Sequence, residues 1–200
     1  MNLDQEKWHF LNAELLASSI SGAFQRAGVY TDKKFDHRHK QLHKKLRSLL
    51  VEYAKAYDSD ISDETHNKNI QDLADNLSQE FGDILRGRRF RIGIAQKALN
   101  LYLKYLWCVG RIRSPPHCPF DFQIISRLDL EETERRWTEI DSIDVYNTWV
   151  ESAKRKAGQD RYPSLAEWEL HIWQSGMDNP APVTRGTAST SGASVSSFEP

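Results

Sequence analysis

Lys97 and Asp121 are the residues with the clearest capacity for covalent and acid–base chemistry. Lys97 stands near the start of a long apolar stretch, and an amine withdrawn from water loses its proton more easily and becomes a nucleophile. Asp121 follows Pro115, Pro116 and Pro119, whose rings stiffen the approach to it. A carboxylate held in that way could activate a water or stabilise a developing cation. Lys104, further along the apolar stretch, is the spare lysine. A lysine snorkelling to the surface and an aspartate capping a helix would account for the same two residues without any chemistry.

Arginine is the second signal. The run RGRRFR supplies Arg86, Arg88, Arg89 and Arg91, and Arg111 and Arg113 follow the apolar stretch. No Asp or Glu falls between residues 84 and 120, although the whole chain has a net charge of only −1. The positive charge is therefore segregated. Guanidinium groups hold phosphates in a fork geometry, Gly87 permits close backbone approach, and Phe90 offers a ring for stacking. These residues are the expected phosphate contacts, and DNA or another nucleic acid is the expected partner. Pairing with the acidic residues between 129 and 139 is the plainer alternative. The rival function is a non-catalytic protein-interaction module with a basic surface, in which the arginines bind an acidic protein and the aromatic helices near Trp149 and Trp168 support the partner surface.

Other constellations carry less. His39 and His43 lie one turn apart with Asp36 a turn before, but the surrounding Lys and Arg would repel a cation, and a solvated basic face is expected. Cys108, His117 and Cys118 offer three ligands where a structural zinc wants four, and a buried thiol explains them more simply. Arg111 with His117 has the spacing of some RNase pairs, yet Pro115 and Pro116 break the helix such a pair needs. No metal site and no cofactor is expected.

The runs AQKALN (95–100) and PFD (119–121), with Tyr146 and the late EWELHIW (167–173), resemble the small helical proteins of the 8-oxoguanine DNA glycosylase group. They resemble still more a set of uncharacterised bacterial helical proteins that share QK, LKYL, a proline-rich segment ending in Asp, and a late Trp. The resemblance covers roughly residues 92–173. It implies that Lys97 is the attacking lysine, that Asp121 is the catalytic carboxylate, and that the reaction is excision of a flipped-out base. Trp107 or Tyr102 would pack on that base. Gln96 stands where the glycosylase pattern has serine, and the segment from Lys97 to Asp121 is longer than in that pattern.

The elements that must position these groups read as helices throughout. Apolar residues recur at helical spacing over 4–27, 35–57, 63–84, 141–158 and 165–173, with a short piece at 122–128. Residues 92–109 are apolar on more than one face, which marks a central, buried helix. The spacing predicts an all-α, single-domain bundle of five to seven helices around it, with both arginine clusters gathered at one cleft. Residues 1–175 form that domain, and 176–200, rich in Ser, Thr, Gly and Pro, read as a disordered tail. Two cysteines are too few for a disulfide framework, no signal-peptide pattern is present, and no run reaches the roughly 18 apolar residues of a membrane span. A cytoplasmic protein away from membranes is expected.

Overall fold

The computed structural model describes residues 2–32 and 36–178, the last two by backbone alone. Phe35 and the expected tail beyond 178 lie outside the described residues. Seven α-helices occur in them: α1 (Leu3–Phe24), α2 (His37–Ala54), α3 (Asp63–Phe81), α4 (Ile92–Cys108), α5 (Phe122–Ile125), α6 (Ile143–Gln159) and α7 (Leu165–Asp178). The only β-type pairing among the described residues is an isolated bridge between Tyr30 and Leu85. The all-α expectation therefore holds, and no described helix is long and apolar enough to cross a membrane.

Local chemistry sets the helix starts. Asn2 and Gln5 form a capping box on α1, and Asp36 and His39 form another on α2. Ser62 caps α3, and the Ser164 hydroxyl accepts from the Glu167 N–H at the start of α7. Two boundaries differ from expectation. Helix α6 starts at Ile143 rather than at 141, with Ser142 as its cap, because Asp141 is turned away to another task described below. Helix α7 continues through Gly176 to Asp178, so the boundary expected at 175 falls inside a helix. Gly176 lacks a β-carbon, but one glycine costs a helix only about 1 kcal/mol and does not end it.

Helix α4 is the centre. Thirteen of its 17 residues are buried, Ile92 to Asn100 without a break, where a surface helix would bury only a stripe. Its longest packing partner is α1, followed by α3, with α2 and α6 on its remaining flanks. Leu99, Leu103, Ile94 and Ala98 are fully buried among Leu73, Leu77, Phe81 and Ile20 of the same core. Trp149 and Trp168, expected beneath a partner surface, are core residues at 0% and 2% exposure.

The loop between α5 and α6 reaches back onto the start of α4. Gly93 N–H donates to the Ile140 carbonyl at 2.9 Å, and Asp141 Oδ1 accepts from the Ile92 N–H at 3.1 Å and from Arg89. Asp141 therefore satisfies an N-terminal donor of α4 from a distance. The approach is so close that a β-carbon on Gly93 would sit 1.7 Å from the Trp137 carbonyl oxygen. In an ordinary helix interior Gly→Ala is stabilising by about 1 kcal/mol. Here the sign reverses. Gly93→Ala is expected to lower unfolding stability by about 2 kcal/mol or more in denaturant titration. A neutral or stabilising result would contradict the seating of this loop.

Candidate functional site

The site is built from buried amides on α4. Gln96 and Asn100 are fully buried, one turn apart. Gln96 Nε2 donates to the Phe120 carbonyl at 2.8 Å and its Oε1 accepts from the Phe120 N–H at 3.2 Å. Asn100 Nδ2 donates to the Cys118 carbonyl at 2.9 Å and to Tyr146 Oη at 3.2 Å. The proline-rich segment has few backbone donors of its own, and these two side chains hold it as a neighbouring strand would. Its next residue is Asp121.

Asp121 then divides its carboxylate. Oδ1 accepts from the Gln123 and Ile124 N–H groups and caps α5, while Oδ2 lies 3.6 Å from Lys97 Nζ. Capping and pairing coexist on the two oxygens of one side chain. Lys97 is 8% exposed, and its ammonium lies 4.3 Å from the centroid of the Trp137 ring. Burial pushes its pKa below the ordinary lysine value. Asp121 opposes that shift, and Arg26 adds to it.

Lys97 and Asp121 stand on the wall of a hollow of about 680 Å³. Arg26, Arg135, Arg136, Glu132, Phe122 and Trp137 complete most of the lining. Four cationic side chains face two acidic ones, so the hollow is net positive. Phe122 is 75% exposed at its edge and presents an aromatic face to solvent. The loop that carries Arg135, Arg136 and Trp137 is held in place from below. Trp149 Nε1 donates to the Glu134 carbonyl at 3.0 Å, Asp129 N–H donates to Ser152 Oγ at 3.1 Å, and Arg135 Nη2 donates to the Leu130 carbonyl at 2.9 Å.

The expected phosphate-binding arginines are not gathered at one cleft. A helix of 17 residues separates its ends by about 25 Å, so the clusters on either side of α4 are far apart. Arg89 bridges Asp75 and Asp141. Arg113 pairs with Asp60 at 3.1 Å, and Arg111 stacks over Trp8 at 4.1 Å. Arg88 is exposed in the turn after Gly87. Only Arg86 and Arg91 lie near the Lys97 side of the molecule, in a smaller hollow that shares Arg26 with the first. Phe90 is fully buried and cannot stack on a ligand. Trp107 and Tyr102 do not line the hollow, and Tyr102 is buried with its hydroxyl on Asn12. Trp137 and Phe122 stand there instead.

Arg26, Arg135 and Arg136 were not singled out by sequence. Residues 129–136 read as an exposed charged loop, and nothing local reveals that Gly93 allows the loop to fold over Lys97. The adjacent residues Arg135, Arg136 and Trp137 were the available signal: two cations beside a large aromatic in a polar segment.

His39 is buried rather than part of a solvated face, because Tyr30 packs on its ring at 4.2 Å and Asp36 holds its Nδ1 at 2.7 Å. His43 Nε2 meets Tyr30 Oη at 2.8 Å. Cys108 is an exposed free thiol and Cys118 a buried one. Among the described residues no group of three or more His, Cys, Asp or Glu side chains could hold a metal ion. Arg111 and His117 do not converge, since Arg111 is on Trp8 and His117 is wholly buried against Tyr146.

His117 belongs to a polar thread beneath the proline-rich segment. Its Nδ1 is 2.8 Å from Tyr146 Oη, and its ring packs on His66 at 4.5 Å. His66 Nδ1 in turn meets Tyr57 Oη at 2.7 Å. His117 Nε2 is 3.2 Å from Asp63 Oδ1, within ion-pair distance but outside good hydrogen-bond geometry, and Asp63 also pairs with Lys154. Burial holds both histidines below the ordinary imidazole value, and their closeness lowers His66 further. His117 and then Lys154 hold Asp63 low.

These shifts have a definite sign. As pH falls below about 6.5 the unfolded chain takes up protons that the folded histidines refuse, so stability is lost. Above that pH the contribution is flat. Unfolding free energy is expected to fall between pH 6.5 and 5 with a slope of at most about 1.4 kcal/mol per pH unit for each histidine. His66→Gln is expected to shallow that slope in urea titrations across the range. A slope identical to wild type would show that His66 takes no part.

No protein-family model matches this chain, and no curated protein and no solved structure matches it either.

Proposed function

We propose that the Lys97 hollow binds a phosphate-bearing nucleotide unit of a nucleic acid and that Lys97 acts on its sugar carbon. One observation carries this reading: Lys97 Nζ and Asp121 Oδ2 lie 3.6 Å apart on the wall of a cationic hollow. Residues 24 positions apart were brought together by the amide clamp, not by their neighbourhood in sequence.

The size supports it. Ligand pockets run from about 300 to 1,000 Å³, and 680 Å³ accommodates a base with its sugar and phosphate. The charge supports it, since Arg26, Arg135 and Arg136 offer fork donors to phosphate oxygens. The exposed Phe122 ring gives a base a stacking face.

The chemistry follows from the pair. Asp121 accepts a proton from the Lys97 ammonium, which leaves a neutral amine. The amine attacks C1′ of the sugar, forming a C–N bond while the bond to the base breaks, and the base leaves with the electron pair and takes the proton that Asp121 had accepted. Opening of the sugar ring gives an imine, which water hydrolyses to an aldehyde and the free amine. With an abasic sugar the step is simpler: amine and aldehyde give imine and water.

Borohydride reduction of that imine provides the test. Incubation with DNA carrying an abasic site and borohydride is expected to give a covalent protein–DNA adduct, lost in Lys97→Ala and reduced at least tenfold in Asp121→Asn. Binding to the same DNA is expected to weaken steeply with salt. An adduct that persists in Lys97→Ala, or none in the wild type, would overturn the covalent step. Binding insensitive to salt would overturn the phosphate contacts.

A further inference from the structure

The smaller hollow beside the first has a volume of about 340 Å³. Arg26, Arg86 and Arg91 supply three guanidinium groups to it, with Gly28, Thr138 and Glu139. Arg26 and Thr138 line both hollows and form the partition between them. The cations outnumber the single carboxylate, Glu139. No ion pair ties up Arg26, Arg86 or Arg91 within 4 Å among the described residues, whereas Arg89 and Arg113 on the same stretch each have carboxylate partners.

Two further observations favour an anionic ligand for these arginines. Arg91 is half-buried and fixed by the Ala27 carbonyl at 2.6 Å and the Gly28 carbonyl at 3.3 Å, yet its Nε is buried with no hydrogen-bond partner. An unsatisfied buried donor on a cation is costly unless an acceptor arrives. Arg86 and Arg91 are close enough to repel each other, an arrangement that an anion between them would relieve. Arg26 follows the C-cap of α1 with φ 61°, the left-handed conformation that ends many helices, and its side chain lines both hollows.

We propose that the second hollow receives the adjacent phosphate of the same nucleic-acid strand, so that the protein holds two consecutive phosphates, one on each side of Arg26. This inference rests on the proposed function and names the unit recognised: a strand segment with two phosphates rather than a single mononucleotide. Arg26 is the shared contact, Arg135 and Arg136 serve the phosphate beside Lys97, and Arg86 and Arg91 serve its neighbour.

The test compares a mononucleotide carrying one phosphate with a dinucleotide carrying two, by titration calorimetry at several salt concentrations. The wild type is expected to bind the dinucleotide about tenfold more tightly, the return on one added set of charge-assisted hydrogen bonds. In Arg86→Gln, whose side chain is exposed, that ratio is expected to fall to about one, and the salt dependence of dinucleotide binding is expected to drop by about one phosphate equivalent. Titration with inorganic pyrophosphate separates strand recognition from a bare diphosphate site: affinity equal to that of the dinucleotide would overturn the strand assignment. If the mononucleotide binds but the second phosphate adds nothing, or Arg86→Gln keeps the full ratio, the two-phosphate inference fails and the Lys97 site stands. If neither nucleotide binds the wild type, both fail together.

Discussion

Two amide side chains buried on one helix determine where the rest of this molecule can act. Gln96 and Asn100 are fully buried on a largely apolar helix, and both face the backbone of the proline-rich segment. Each of those hydrogen bonds adds only about 1 kcal/mol net, but leaving a buried amide or carbonyl unpaired costs about 1 to 3 kcal/mol. The arrangement is therefore strongly specified by what its loss would leave behind. It fixes Cys118 and Phe120, and through them the direction of Asp121. The Lys97–Asp121 pair is a consequence of that registration.

The positive charge of the chain is mostly used for structure. Arg38 is tied to Asp83, Arg89 to Asp75 and Asp141, Arg113 to Asp60, and the buried Lys104 to Glu169. Exposed pairs of this kind add little stability, and many charges facing opposite charges leave little field outside. Around the start of α4, Arg26, Arg86, Arg91 and Arg135 have no carboxylate within 4 Å among the described residues, while Arg136 lies 3.6 Å from Glu139; Lys40, Lys44 and Arg47 on α2 are a second unpaired group. The near-neutral net charge thus conceals a local imbalance. It arises because Gly93 lets a loop bearing Arg135 and Arg136 approach a helix that already carries Lys97 and lies beside Arg26.

The bundle was legible because helical spacing is a local signal. Ile70, Leu73, Leu77 and Phe81 announce α3, and the unbroken apolarity after Ile92 announces a buried centre. Lys97 and Asp121 were legible as a pair of candidates from residue type and from the prolines. Their distance was not, because it depends on Gln96 and Asn100 reaching residues about 20 positions away. The dispersal of the arginine clusters was hidden for a similar reason. A cluster in sequence says nothing of which members find carboxylates, and Asp75, Asp60 and Asp141 lie on other elements. Arg135 and Arg136 lie in a charged segment with no periodicity, and Arg26 at the end of the first periodic stretch reads as an ordinary helix terminus, so only tertiary contacts bring the three together. Asp141 shows the same limit in one residue: its type suggests a cap for its own helix, but it caps α4 instead.

The central claim is that the amide clamp, acting through Phe120, holds Asp121 against the Lys97 amine. The direct measurement is the pKa of Lys97, read by NMR titration of its side chain, in the wild type, in Asp121→Asn and in Gln96→Met, with circular dichroism confirming that each variant stays folded. Asp121 raises the Lys97 pKa against the effect of burial, so Asp121→Asn should lower it. Gln96→Met should lower it in the same direction, since a freed Phe120 lets the carboxylate drift. A Gln96→Met protein whose Lys97 titrates as in the wild type, while Asp121→Asn shifts it, would show that something other than the clamp positions the pair.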